Sequence, residues 1–261
     1  IMRINFKRFF PCILAAALIL VSAAGCAKSN SSVQENTTEA VIPDSLITIK
    51  DSETDTDASD AVEIALNGSS VSCSSSSVAI NGSEITISSG GSYVINGTLD
   101  DGRIIVDADE AKVHLILNGV SIHSETSAAI YVKSADKTTI TLADGTDNTL
   151  SDSSNYTYDD TDKEEPDAVL FSKDDLSING NGSLNIEASF NNGITCKNDL
   201  KIISGTINVT AKNNAIKGKD SLTITGGTIT ASAQGKGLIS NNGEEEDKGY
   251  VHITGGTITL T

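Results

Sequence analysis

GITCKNDLKIISGTINVTA, residues 193–211, is followed 22 residues later by AIKGKDSLTITGGTITASA, residues 215–233. A third copy, GLISNN from residue 237 and GYVHITGGTITLT from residue 249, is split by an insertion. Aligned, Leu200, Ile202, Ile207 and Val209 fall on Leu222, Ile224, Ile229 and Ala231. A looser copy with Leu176, Ile178, Leu184 and Ile186 precedes them. Each copy holds two short runs of period two, parted by a turn that carries Gly182, Gly205, Gly227 or Gly256. Ile-x-Ile and Thr-x-Thr alternation suits strands, whose side chains point to opposite faces in turn. A unit this short has no room for two helices and buries no core alone, so the units must stack. The spacing predicts an all-β chain, a parallel β-helix of about 22 residues per coil.

Working outward, EIALNG, EITISSG, YVING, RIIVDAD, KVHLILNGVSI and TTITLADG continue the pattern upstream with weaker periodicity. Asn-Gly, Gly-Gly and Asp-Gly pairs mark their turns. Parallel strands are therefore expected over residues 62–261, with no helix longer than two turns. Thr261 follows a strand directly, and solenoids need covered ends. The expectation is a rod truncated at its C-terminus or covered there by something else.

The first 26 residues read as an address. Arg3, Lys7 and Arg8 precede the apolar run Ile13–Val21, and small residues lead to Cys26. AAGC resembles a bacterial lipoprotein signal, with Cys26 as the lipidated residue and Ala23 where Leu or Val is usual; a plain secretory signal is the alternative. The apolar run is short of the ~20 residues a membrane span needs. Residues 27–61, rich in Ser, Thr, Asn, Asp and Glu, read as a flexible polar tether. The placement expected is outside the cell, anchored by lipid to the outer face of a bacterial membrane.

The full chain carries 18 Lys and Arg against 35 Asp and Glu, a net charge of −17. Without the signal the balance is 15 against 35, or −20. Such a surface repels nucleic acid and favours cations or partners bridged by cations. Cys73 and Cys196 lie several coils apart, too far for a disulfide. Cys196 aligns with Ser172 and Gly218 in an inward column of small residues, as a buried thiol. His114, His123 and His252 are isolated, which gives no zinc set.

SLTITGGTITASA, AAIYVKSADKTTITLADGTDNTLSD, GSYVINGTLDDGRIIVDADEAKVHLILNGVSI and VHITGGTITL together resemble a family of secreted bacterial proteins described as carbohydrate-binding domain proteins. The resemblance spans about residues 62–261. It implies a right-handed parallel β-helix similar to calcium-dependent pectate lyases, binding plant or cell-wall polysaccharide with calcium between coils.

The calcium ligands carry over unevenly. Where the family has Asp-Gly at the turn entering each late coil, this chain has Asn192-Gly193, Asn214-Ala215 and Lys236-Gly237. Asn keeps a carbonyl oxygen but loses the charge, and Lys236 repels a cation. A second acidic register, Asp174, Asp175, Asp199 and Asp220, stands just before the Leu-x-Ile strands. Stacked, these carboxylates would lie within about two strand spacings and share a hard cation. Lys173, Lys197 and Lys219 run beside them, and the two ladders would equally well neutralise each other on a solvated corner.

Two insertions, Asn155–Asp167 and Glu244–Asp247, interrupt the repeat, and repeat proteins often bind on the face where insertions collect. Both flank one strand column whose outward residues are Tyr131, Phe171, Thr195, Lys217 and Ile239. Tyr131 and Phe171 would form a small stacking platform for a sugar ring, with Tyr156 and Tyr158 leaning over it. Alternatively the acidic loop simply covers Phe171. With no Trp and ten Tyr plus Phe, a broad flat platform for crystalline cellulose is not evident.

Three functions compete. One is a non-catalytic polysaccharide-binding module, assisted by calcium. The second is a calcium-dependent lyase with Lys197, Lys217 or Lys219 as base beside Asp199 or Asp220. The third is a passive surface adhesin or spacer.

Overall fold

The computed structural model describes residues 48–54, 56–159 and 161–261. The signal segment, Cys26 and the tether up to residue 47 lie outside the described residues. Apart from one helical turn, α1 (Asp51–Thr54), the described secondary structure is all β.

The early strands correct the expectation of parallel pairing throughout. β1 (Val62–Gly68) pairs antiparallel with β2 (Ser70–Ser72), and β3 (Val78–Asn81) pairs antiparallel with β4 (Glu84–Ile87). The reversals fall at Gly68-Ser69 and Gly82-Ser83, where Gly68 and Gly82 take φ of 69° and 63°, values a tight hairpin turn demands. β1 also pairs in parallel with β5 (Gly91–Leu99), and β4 with β6 (Arg103–Asp107). Among the described residues, every strand pairing beyond these is parallel.

From residue 130 onward the strands recur in threes, each paired with its counterpart one repeat later. The first ladder is β8 (Ile130–Ser134), β11 (Ala168–Ser172), β14 (Asn192–Cys196), β17 (Ile216–Gly218) and β20 (Leu238–Ile239). The second is β9 (Lys137–Leu142), β12 (Asp175–Gly180), β15 (Asp199–Ile202), β18 (Ser221–Ile224) and β21 (Tyr250–Ile253). The third is β10 (Asp147–Asp152), β13 (Ser183–Ala188), β16 (Thr206–Ala211), β19 (Thr228–Ala233) and β22 (Thr257–Leu260). The second and third meet at β7 (Lys112–Ser124), whose first half pairs with β9 and second half with β10. The fork sits at Asn118-Gly119, where buried Asn148 accepts hydrogen bonds from Gly119 N (2.9 Å) and Val120 N (3.0 Å). That side chain satisfies amides the fork takes out of the ladder.

The inward columns follow the sequence register. Ile194, Ile216 and Leu238 are partners, as are Leu200, Leu222 and Val251. Burying these columns, rather than one globular centre, is how few aromatics suffice. Cys196 stacks between Ser172 and Gly218 as a buried free thiol, its pKa pushed up by burial. Cover fades along the rod: Leu222 is buried, but its partner Val251 is exposed.

Outward residues divide the three ladders. On β13, β16 and β19 they are largely exposed, and Ser, Thr, Asn and Glu fill them. On β9, β11 and β14 both faces are buried. Two of the three outer faces are thus covered, each by a different part of the chain.

Candidate functional site

The column Tyr131, Phe171, Thr195, Lys217 and Ile239 is in register as the sequence predicts. Its exposure is not. Tyr131, Phe171 and Thr195 are at most 1% accessible, and the two rings meet edge to face with centroids 5.7 Å apart. With Ala128 and Ala168 they form a small second core. The insertion after β10 is pinned beside it from both ends. Arg103 holds Asp159 (2.9 Å) as well as Glu84 (2.7 Å), and buried Glu165 takes Lys197 (2.6 Å) and Lys173 (3.5 Å). Lys173 also sits 5.8 Å from the Tyr131 ring centroid. The expected stacking platform is therefore closed to a sugar, because burying two aromatic rings outweighs leaving them in water.

Tyr156 and Tyr158 do not lean over Phe171. Tyr156 stacks on Phe190 at 4.1 Å and donates to Asp152 (2.7 Å), while Tyr158 meets Phe190 edge-on at 6.2 Å. Burial raises the Asp152 pKa, against the hydrogen bonds it accepts. Phe190, which the sequence did not single out, is the centre of this half-exposed trio. Lys217 is half-buried and faces Asp167, whose carboxyl is pushed up by burial and drawn back by Lys217 and Lys197.

The second covered face is polar. One outward side chain per strand lies in register across seven strands: Ser92, His114, Thr139, Ser177, Lys201, Thr223 and His252. At one end an open cavity of about 190 Å³ is lined by Gly91, Ser92, Lys112, Val113, His114, Lys137 and Thr139. His114 Nε2 is 2.8 Å from Thr141 Oγ1 there. Midway, residues 48–54, from the stretch the sequence assigned to the tether, cross the row. Glu53 is fully buried. Its carboxylate accepts from Lys137 Nζ, from Lys201 Nζ (3.1 and 3.2 Å) and from Ser177 Oγ (3.3 Å). Asn179 Nδ2 donates to the Glu53 carbonyl (2.6 Å), and Lys201 also donates to the Thr48 carbonyl (2.8 Å). Burial, then the like charge of Lys201, draws Lys137 down to about 8. Burial lowers Lys201 as well.

The four aspartates proposed for calcium do not converge. Asp175 is in register with Asp199, but Asp199 stacks on Ser221, so Asp220 and Asp174 stand one residue out of that column. The mismatch arises because Asp175 and Asp199 stand one residue before Leu176 and Leu200, whereas Asp220 stands two before Leu222 with Ser221 between. Each carboxylate has other work: Asp174 accepts from Ala135 N (2.9 Å), Asp199 from Ser221 Oγ (2.6 Å), and Asp220 from Asn242 Nδ2 (2.8 Å) and Lys248 Nζ (2.9 Å). The Asp175 pKa is raised by burial and by Asp199, and lowered by Lys137 and Lys201. Among the described residues no three His, Cys, Asp or Glu side chains gather as a metal set. Two carboxylates beside two lysines do not fit the six to eight oxygens calcium takes. At the turns, Asn192 Oδ1 already accepts from Asn214 N (3.1 Å), and Asn214 Oδ1 from Lys236 N (3.1 Å).

Two of the three lysines proposed as bases are engaged: Lys197 pairs with Glu165, and Lys217 acts on the Asp167 carboxyl. Lys137 and Lys201, which the sequence reading passed over, are the ones with lowered pKa. Reading the outward register of KTTITL, DLSING and DLKI would have found Lys201 beside Ser177. Nothing in the sequence around Glu53 signals its partners.

The family profile of carbohydrate-binding domain-containing proteins matches residues 81–261. The chain belongs to this carbohydrate-binding domain family. A carbohydrate-binding domain-containing protein of Acetivibrio thermocellus is 46% identical over 171 residues, covering 65% of this chain. The chain spans about 60% of that relative's length. Among solved structures, the polysaccharide lyase-like protein from C. thermocellum, studied as a gadolinium derivative, superposes with a TM-score of 0.75. It is 44% identical and the match covers 77% of this chain and 82% of that one.

Proposed function

We propose that the chain is a right-handed parallel β-helix acting as a non-catalytic polysaccharide-binding module, held by lipid at Cys26 to the outer face of a bacterial membrane. The observation that carries the binding reading is the seven-strand polar row from Ser92 to His252, open at its Ser92 and His114 end and covered at Ser177 and Lys201 by residues 48–54. Hydroxyl, imidazole and ammonium groups repeat there at about the 4.8 Å strand spacing. A regular ladder of donors and acceptors suits an extended polymer with regularly spaced hydroxyls, and its cationic members favour plant or cell-wall glycans that carry carboxylates. Isothermal titration of the mature protein with oligogalacturonate, a methyl-esterified oligogalacturonate and a cello-oligosaccharide tests it. Binding to the first, weakened by Lys201→Met, is the expected result; no binding to any member of a broad glycan panel would favour a spacer. No step in this reading requires calcium, and titrations repeated with chelator address calcium assistance directly.

A lyase reading has one specific observation behind it: Lys137, drawn down to about 8. A neutral lysine there is a competent base near neutral pH. It would take the proton beside the uronate carboxyl. The electron pair left behind would form a carbon–carbon double bond and expel the glycosidic oxygen, which takes up a proton. Turnover would then rise with pH through about 8, as Lys137 loses its proton, and vanish in Lys137→Ala. Appearance of unsaturated product by absorbance checks this.

A further inference from the structure

Glu53 is a fully buried carboxylate that belongs to none of the strands. It comes from a segment far upstream and lands on four side chains of the polar row and its neighbours: Lys137, Ser177, Asn179 and Lys201. Three donors converge on its carboxylate and the fourth on its backbone carbonyl. This is the donor set a carboxylate-bearing ligand would need, and a carboxylate already sits in it. Without an anion there, two ammonium groups that are each at most 8% exposed would face one another, and burial already lowers both of their pKa values. While the segment covers them, the pair demands an anion.

We infer that Lys137, Lys201, Ser177 and Asn179 form a carboxylate-recognition site and that Glu53 is its built-in competitor, displaced when the carboxylate of a uronate unit in a polysaccharide takes its place. The inference rests on the polysaccharide-binding reading and adds a gate to it. Residues 48–54 are tied to the ladders through the Glu53 side chain and the Thr48 and Glu53 carbonyls, and not by strand pairing. Such a segment leaves and returns without unfolding the ladders beneath it. The site is then empty only in passing: the chain's own acid fills it until a ligand of higher effective concentration arrives. Neutral glycans lack the group that competes, so the gate discriminates by charge.

The test uses the full mature chain, wild type and Glu53→Gln, with oligogalacturonate and its methyl-esterified form as probes. Titration calorimetry should show Glu53→Gln binding oligogalacturonate at least tenfold more tightly than wild type, with no change toward the ester. Hydrogen exchange in wild type should show residues 48–54 losing protection when oligogalacturonate saturates the protein. A variant lacking residues 48–54 should match Glu53→Gln, and Lys137→Met with Lys201→Met should lose the acid preference while keeping the thermal unfolding midpoint. Wild type that binds oligogalacturonate with 48–54 still protected, and Glu53→Gln that binds no better, would overturn the gate and leave the binding reading standing. Absence of all glycan binding in wild type, Glu53→Gln and the deletion alike would overturn both.

Discussion

The two covered faces are built on opposite principles. Over the first ladder, the insertion lies beside a dry aromatic pair, Tyr131 and Phe171, and is tied down by Arg103–Asp159 and Glu165–Lys197. Over the second, residues 48–54 lie on a polar row and insert one acid between two lysines. The first cover buries apolar surface, which water never reclaims cheaply. The second neutralises charges that another carboxylate serves equally well. A cover of the first kind is part of the fold, and one of the second kind is exchangeable. The aromatic pair therefore marks a finished part of the chain, and the Glu53 carboxylate between Lys137 and Lys201 marks a place another carboxylate can take.

Breaking the aromatic cover should have the largest effect. Phe171→Ala removes a fully buried ring from a small cluster and should cost about 3–4 kcal/mol, read as a lower urea midpoint. Glu165→Gln keeps the size of the side chain but removes the charge that Lys197 and Lys173 share. It should cost about 1.5 kcal/mol and speed hydrogen exchange in residues 155–167. Glu53→Gln should barely move the global unfolding midpoint, because its segment detaches by itself and lets the lysines reach water. Its signature is faster exchange confined to residues 48–54. An effect of Glu53→Gln on global stability as large as that of Phe171→Ala would erase the distinction. Smallest of all, calcium or chelator should leave the unfolding midpoint unchanged, since Asp174, Asp175, Asp199 and Asp220 do not form one cage.

The sequence carried the repeat because stacking imposes it chemically. Gly205 and Gly227 must both take left-handed φ, and a Cβ on Gly227 would stand 2.8 Å from the Gly205 carbonyl oxygen. The Ile and Val columns are legible for the same reason, since a one-residue slip would turn them to water. The fork inside Lys112–Ser124 was not legible, because an Asn-Gly within a continuous β pattern reads as a turn or as nothing. The aspartate column slips by one residue because Ser221 stands between Asp220 and Leu222, where Asp199 adjoins Leu200 directly. The pairing of Tyr131 with Phe171 was readable from register, and a covering loop was one of two readings, between which a loop's path leaves no periodic trace to decide. Glu53 was the least legible. Its partners lie 84 to 148 residues away, and one acid among many carries no mark of burial.

The central claim, that the polar row is where polysaccharide binds, is tested most directly by comparing two faces in one titration. Oligogalacturonate affinity should fall at least tenfold in Lys137→Met with Lys201→Met, and stay at the wild-type value in Thr210→Val with Thr230→Val on the exposed third ladder. Unchanged affinity in the lysine variant together with loss in the threonine variant would place binding on the other face and contradict the account.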